Sequence, residues 1–191
     1  METLRNIVSH YNGKIPEQDI KNAYKYCKEF RIKKGELLSN EGDVVDSLYF
    51  MHKGCIVLYA AIHGVEKPIE FFTENDIFTD FYSYVKEVPS RGYMRAVENC
   101  VIISIKKSDF EYVLQNSHPL EHFGRKFLED RHLNVLIDFQ NNAVLSNEER
   151  YLRLIRKRPY LFQRVPQYLI AAYLGLTPVG LSKIRKRLSE R

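Results

Sequence analysis

The sequence predicts an α+β fold: an antiparallel sandwich or barrel of short strands, followed by helices to the C-terminus. Two observations carry this. From Phe30 to about residue 105, segments rich in β-branched and aromatic residues recur at roughly 8–12-residue spacing between turn signals, with no strand–helix alternation. Beyond residue 107 the apolar spacing becomes helical and ends in a helix, a tight glycine turn and a basic helix.

Residues 1–29 read as two short helices, one with the stripe Leu4, Ile7 and Val8, the next opened by Pro16-Glu17 and running through Ile20, Ala23, Tyr24 and Cys27. Strands are expected over 47–51, 55–62, 67–72, 92–98 and 100–105. Between them stand Lys34-Gly35, Glu41-Gly42-Asp43, Lys53-Gly54, His63-Gly64 and Glu98-Asn99. Ser108-Asp109 can cap a short helix to Gln115, and a longer one begins near Pro119 and continues towards Gln140. Its apolar residues (Leu120, Phe123, Phe127, Leu128, Leu133, Val135, Leu136, Ile137 and Phe139) cover most of the circumference in its second half. One packing surface needs only a stripe of about 100°. Two surfaces are therefore expected, the barrel on one side and a second copy of the chain on the other.

Residues 141–146 read as a hinge. Ser146 with Glu149 forms a capping box for a helix to Lys157, which Arg158-Pro159 ends, and 160–164 reads as a short loop. The next helix carries Val165-Pro166-Gln167-Tyr168-Leu169-Ile170-Ala171-Ala172-Tyr173 and stops at Gly175, where a left-handed C-cap suits glycine. Thr177 as N-cap and Pro178 at the first helical position launch the last helix. At about 100° per residue, Leu181, Ile184 and Leu188 share its core stripe, while Val179, Ser182, Lys183 and Lys186 lie opposite, flanked by Arg185 and Arg187. This is the pattern of a DNA-binding helix-turn-helix. Gln167 and Tyr168, opening the first helix, and Thr177 complete the candidate DNA-contacting set.

Charge divides the same way. Of 29 Lys/Arg and 24 Asp/Glu, eleven and three lie from Ser146 onward, leaving 18 basic against 21 acidic residues before it. A basic tail on an acidic body suggests that the tail alone meets a polyanion. No apolar run approaches the ~18 residues of a membrane span and the first residues are no signal peptide, so a cytoplasmic protein without membrane partners is expected. Cys27, Cys55 and Cys100 are too dispersed for a metal cluster and read as small buried hydrophobes. His118 and His122 lack a third ligand, and His52 and His63 form no HxH motif, so neither a metal site nor an enzyme is expected.

The order of short helices, barrel, long helix, hinge and helix-turn-helix resembles the Crp/Fnr family of bacterial regulators over essentially the whole chain. The resemblance rests on Lys34-Gly35-Glu36-Leu37-Leu38, Glu41-Gly42-Asp43, Leu48-Tyr49-Phe50 and Lys53-Gly54 in the barrel. In the tail it rests on Glu148-Glu149-Arg150-Tyr151 and the string from Arg164 to Gly175, which is similar to Crp-like regulators of Bacteroidetes-type bacteria. It implies a double-stranded β-helix (jelly-roll) sensor domain over 1–118, a dimerisation helix and hinge over 119–145, and a DNA-binding domain over 146–191. It also implies double-stranded DNA, a second copy of the chain and RNA polymerase as partners, and an effector held in the barrel.

The chain departs from the family in three places. Members that bind cyclic nucleotides hold the sugar and phosphate with Gly-Glu and then Arg-Ser; here Thr79-Asp80 and Ser90-Arg91 stand in those positions. A buried phosphate without its bidentate Arg loses its main partner, so cyclic AMP or GMP is not expected, and Thr79, Asp80, Ser90 and Arg91 line the candidate pocket of a different effector or none. The recognition helix reads Thr177-Pro178-Val179-Gly180-Leu181-Ser182 where relatives carry Thr-Pro-Glu-Thr-Leu-Ser, and Gly180 costs roughly 1 kcal/mol of helix propensity against Ala. The family's C-terminal hairpin wing is also not expected. The alternative to a dimeric transcription regulator is a ligand-binding or scaffold protein of this fold with impaired operator recognition.

Overall fold

The computed structural model describes residues 1–10, 15–62 and 64–190. His63, named above, and Arg191 lie outside the described residues. The strands are β1 (Cys27–Ile32), β2 (Leu37–Ser39), β3 (Ser47–Lys53), β4 (Ile56–Ile62), β5 (Val65–Phe72), β6 (Ile77–Phe78), β7 (Gly92–Ala96) and β8 (Cys100–Lys106). They form two antiparallel four-stranded sheets, β1-β8-β3-β6 and β2-β7-β4-β5, which close into a jelly roll. Successive side chains point to opposite faces, so one set fills the space between the sheets: Met51, Ile56, Phe72, Phe78, Met94 and Ile102. The Phe72 and Phe78 rings stack there at 4.8 Å.

The outer face of each sheet is also buried. Leu48, Phe50, Ile103 and Ile105 of the first sheet pack under α1 (Glu2–His10), α2 (Glu17–Tyr24), α4 (Lys107–Gln115) and the start of α5 (His118–Val144). Between β6 and β7 runs the six-residue α3 (Phe81–Lys86). Val57, Tyr59, Phe71 and Tyr93 of the second sheet share a continuous core with Tyr151, Leu161, Leu169, Ile170 and Ile184. Those residues belong to α6 (Asn147–Lys157), α7 (Leu161–Arg164), α8 (Gln167–Tyr173) and α9 (Pro178–Ser189). At about 1.5–3 kcal/mol per buried large apolar side chain, this shared core fastens the C-terminal helices to the barrel.

Four local expectations need correction. Cys27 ends no helix; it opens β1, because its whole strand finds partners in β8 from Cys27↔Ile105 to Ile32↔Cys100, and tertiary pairing outweighs local spacing. Neither Ser108 nor Asp109 caps α4; the helix already begins at Lys107 and has no side-chain cap. Residues 160–164 are no loop, since Leu161–Arg164 is the short helix α7, with Leu161 fully buried. The expected hinge is also shorter, because α5 runs through Asn141–Val144 and the chain breaks only at Leu145-Ser146, where Ser146 and Glu149 form the capping box that starts α6.

No helix among the described residues is long and apolar enough to cross a membrane. Cys55 and Cys100 are buried free thiols, pushed up to about 12 and about 11 by desolvation, whereas Cys27 is half-buried.

Candidate nucleic-acid interface and barrel pocket

Residues 167–188 form the expected helix-turn-helix. Gly175 takes φ +69° past the end of α8, and Leu176 N–H reaches back to Ala171 O at 2.8 Å, a Schellman closure that side chains with a Cβ resist. Thr177 then caps α9, its Oγ1 accepting the Gly180 N–H at 3.0 Å. A Cβ at Gly180 would sit 3.2 Å from that same hydroxyl, so glycine leaves room for the cap and offsets part of its helix cost. Leu181 and Ile184 are buried, and partly buried Leu188 packs against the same core.

The opposite face of α9 is open. Val179 is 65% exposed, and Ser182, Lys183, Arg185 and Lys186 are exposed beside it. Gln167 and Tyr168 are exposed at the start of α8, and Thr177 at the start of α9. Arg187 differs from this set, because its guanidinium meets Glu148 of α6 at 2.7 Å across a groove also lined by Ser146, Leu176 and Lys183. Lys186 lies 3.9 Å from Glu190 on the solvent side, a weak contact.

A second basic group is turned inward. Arg164, closing α7, sets its two terminal nitrogens on the two oxygens of Glu74 at 2.7 and 2.8 Å, and also contacts Glu98. Glu74 accepts the Gly54 N–H at 2.8 Å as well. Burial alone would raise the Glu74 pKa, but the Arg164 and Gly54 hydrogen bonds outweigh it and hold the carboxyl below the usual glutamate range. The hydrogen bonds to Glu74 and Glu98 in turn push the Arg164 guanidinium up. Beside this clamp, Arg158 Nη1 donates to Phe71 O at 2.7 Å, Tyr160 OH lies 3.4 Å from Thr73 Oγ1, and Tyr173 meets Phe71 edge-on at 5.2 Å. The basic tail is therefore partly adhesive: Arg158 and Arg164 bind the acidic turns of the barrel. Sequence reasoning placed both among the polyanion-facing charges, and no local motif distinguishes them.

Three of the candidate effector residues are turned into the protein. Thr79 is buried and donates to Ser47 O at 2.9 Å. Asp80 caps α3, its Oδ1 accepting the Tyr82 and Ser83 N–H groups at 3.1 and 3.2 Å, while Oδ2 accepts from the buried Ser90 hydroxyl. Ser90 Oγ in turn accepts the Gly92 N–H at 3.1 Å. Ser83, which sequence reasoning overlooked, completes the network by accepting from Val45 N–H and donating to Val88 O. Arg91 alone turns outward; its guanidinium lies 4.7 Å over the Tyr82 ring and donates to the Tyr82 hydroxyl at 3.1 Å. Thr79, Asp80 and Ser90 come together, and Arg91 does not join them.

Residues 29–117 match the family described as cyclic nucleotide-binding domain. No curated protein matches the chain by sequence. Among solved structures, the c-di-GMP responsive global regulator CLP of Xanthomonas campestris superposes with TM-score 0.72 at 16% identity, over 92% of each chain. FixK2 of Bradyrhizobium japonicum gives 0.67 at 18%, covering 86% of this chain and 85% of its own. The Thermus thermophilus catabolite activator protein gives 0.58 at 18%, covering 93% and 85%. The fold is thus that of Crp/Fnr-type regulators, and the resemblance read from the sequence is borne out at that level.

Proposed function

We propose that this chain is a transcription regulator that binds double-stranded DNA as a homodimer and so recruits or blocks RNA polymerase. The observation that carries this reading is the capped, solvent-facing α9, which presents Ser182, Lys183 and Lys186 on one exposed face. A recognition helix so presented can enter the major groove, with its lysines and Arg185 neutralising phosphates. Gel shifts on duplex DNA at 50 and 200 mM salt test it. Binding that weakens steeply with salt is expected, and no affinity at either concentration would end the reading.

Dimerisation is supported by the second half of α5. At about 100° per residue, Leu128, Val135, Leu136 and Phe139 fall within roughly one quadrant, and all four are exposed, Phe139 by 72%. An apolar stripe of this kind on a long helix is suited to a twofold seam. Phe139→Asp is expected to convert a dimer into a monomer in analytical ultracentrifugation. A wild-type monomer at micromolar concentration would remove the seam.

For the barrel, we read the pocket as one that does not take cyclic AMP in the usual way. Asp80 already uses both oxygens on α3 and Ser90, and Arg91 lies outside. The interior between the sheets is filled chiefly by Phe, Met and Ile side chains. Calorimetric titration with cyclic AMP is expected to give no heat of binding, and sub-100-micromolar affinity would overturn this part. A scaffold role with weakened operator recognition is the second reading, favoured by Val179, whose exposed side chain offers bases apolar contact only.

A further inference from the structure

The phosphate-contacting surface does not end with the helix-turn-helix. We propose that Lys67 and Arg95, both carried by the barrel, extend it at the two ends of α8, making the DNA interface a composite of both domains. This rests on the DNA-binding reading above.

The placement is geometric. Lys67 is exposed on β5, and its ammonium comes within 3.8 Å of where a side chain on Gly175 would begin, so a barrel cation stands at the turn between α8 and α9. Arg95 is exposed on β7 with its guanidinium over the Tyr93 ring at 4.9 Å and the Tyr59 ring at 5.9 Å, and those rings stack on each other at 4.6 Å. Tyr59 and Tyr93 belong to the buried core shared with Leu169, near the start of α8. Arg95 therefore stands on the sheet face that shares its core with the start of α8.

Neither cation makes an ion pair among the described residues, unlike Arg164 and Arg187. The nearby carboxylate of Glu66 accepts from the Tyr93 hydroxyl at 2.6 Å. In a helix-turn-helix complex the first helix crosses the DNA backbone while the second enters the groove. Cations bracketing α8 stand where phosphates pass. Stacking on Tyr93 and Tyr59 also holds the Arg95 fork in place, which lowers the entropy lost when it grips a phosphate.

The test uses fluorescence anisotropy of the full chain with a 30-base-pair duplex of mixed sequence across a salt series. Non-specific affinity is almost wholly electrostatic, so no operator is needed. Removing one cation that neutralises a phosphate flattens the log-affinity against log-salt slope by about 0.9. The K67Q/R95Q double variant is expected to lower the slope by about two units per protomer, and K67Q/R95K to recover about one of them. K28Q, which removes an exposed charge from β1 in the other sheet, is expected to leave the slope unchanged. An unchanged slope in K67Q/R95Q alongside a flattened one in K183Q overturns the composite surface while sparing the DNA-binding reading. An equal loss in K28Q reduces the effect to net charge and overturns it too. No binding by the wild type removes both. Unchanged thermal melting of the variants shows that fold is not the cause.

Discussion

Two basic stretches in the C-terminal third have opposite fates. Arg158 and Arg164, around α7, face the barrel and are held by Phe71 O, Glu74 and Glu98. Lys183, Arg185 and Lys186, on α9, face solvent. The residue types are similar and the separation along the chain is short, yet one group acts as glue and the other is available to a polyanion. Local surroundings decide this. Arg164 lies where the β3–β4, β5–β6 and β7–β8 turns converge and finds two carboxylates there. The α9 lysines project from a helix whose other face alone is packed.

The comparison can be broken first at α9. Lys183→Ala with Lys186→Ala is expected to flatten the salt slope of DNA binding by about two units per protomer and leave the melting temperature unchanged; a destabilised variant with intact DNA affinity would reverse the assignment. Arg164→Ala should do the opposite. Losing hydrogen bonds between charged partners, with Glu74 and Glu98 left facing each other, is expected to cost about 2 kcal/mol in urea unfolding, with the slope of DNA binding retained.

Acid sharpens the same contrast. The folded-state pKa of Glu74 is lowered, so its contribution is fully present above the ordinary glutamate value of about 4.3 and is lost as pH falls below it. Glu74→Gln is expected to lower stability at neutral pH and to flatten the acid limb of the stability curve, checked by urea midpoints between pH 3 and 6. The smallest effect is at the turn: Thr177→Ala removes the α9 cap and should cost about 1 kcal/mol, read as a lower melting temperature.

What could be read from the sequence follows the range of the forces involved. The Gly175 turn, the Thr177 cap and the Ser146–Glu149 box are set by residues three to five apart, and each was legible. The two-residue β6 and three-residue β2 are too short to show a period, and β1 takes its identity from β8, more than sixty residues away. In the barrel pocket, the spacing of Asp80 and Ser90 drew attention to the right residues. Their hydrogen-bond partners were invisible, because Asp80 meets Ser90 only after the chain has turned through α3. The Arg164 clamp had no local signature at all, since its partners lie 90 and 66 positions earlier.

Those separations also have a meaning in time. Short helices form within about a microsecond, and the entropy of closing a loop rises with its length. The three-helix unit of α6, α8 and α9 therefore acquires its local structure before its seat exists, because that seat is made of turns supplied by three different strand pairs. Docking waits for the barrel, whose own non-local strand pairings are slow. During synthesis from the N-terminus the order is reversed: the acidic turns are made before Arg164 emerges to meet them.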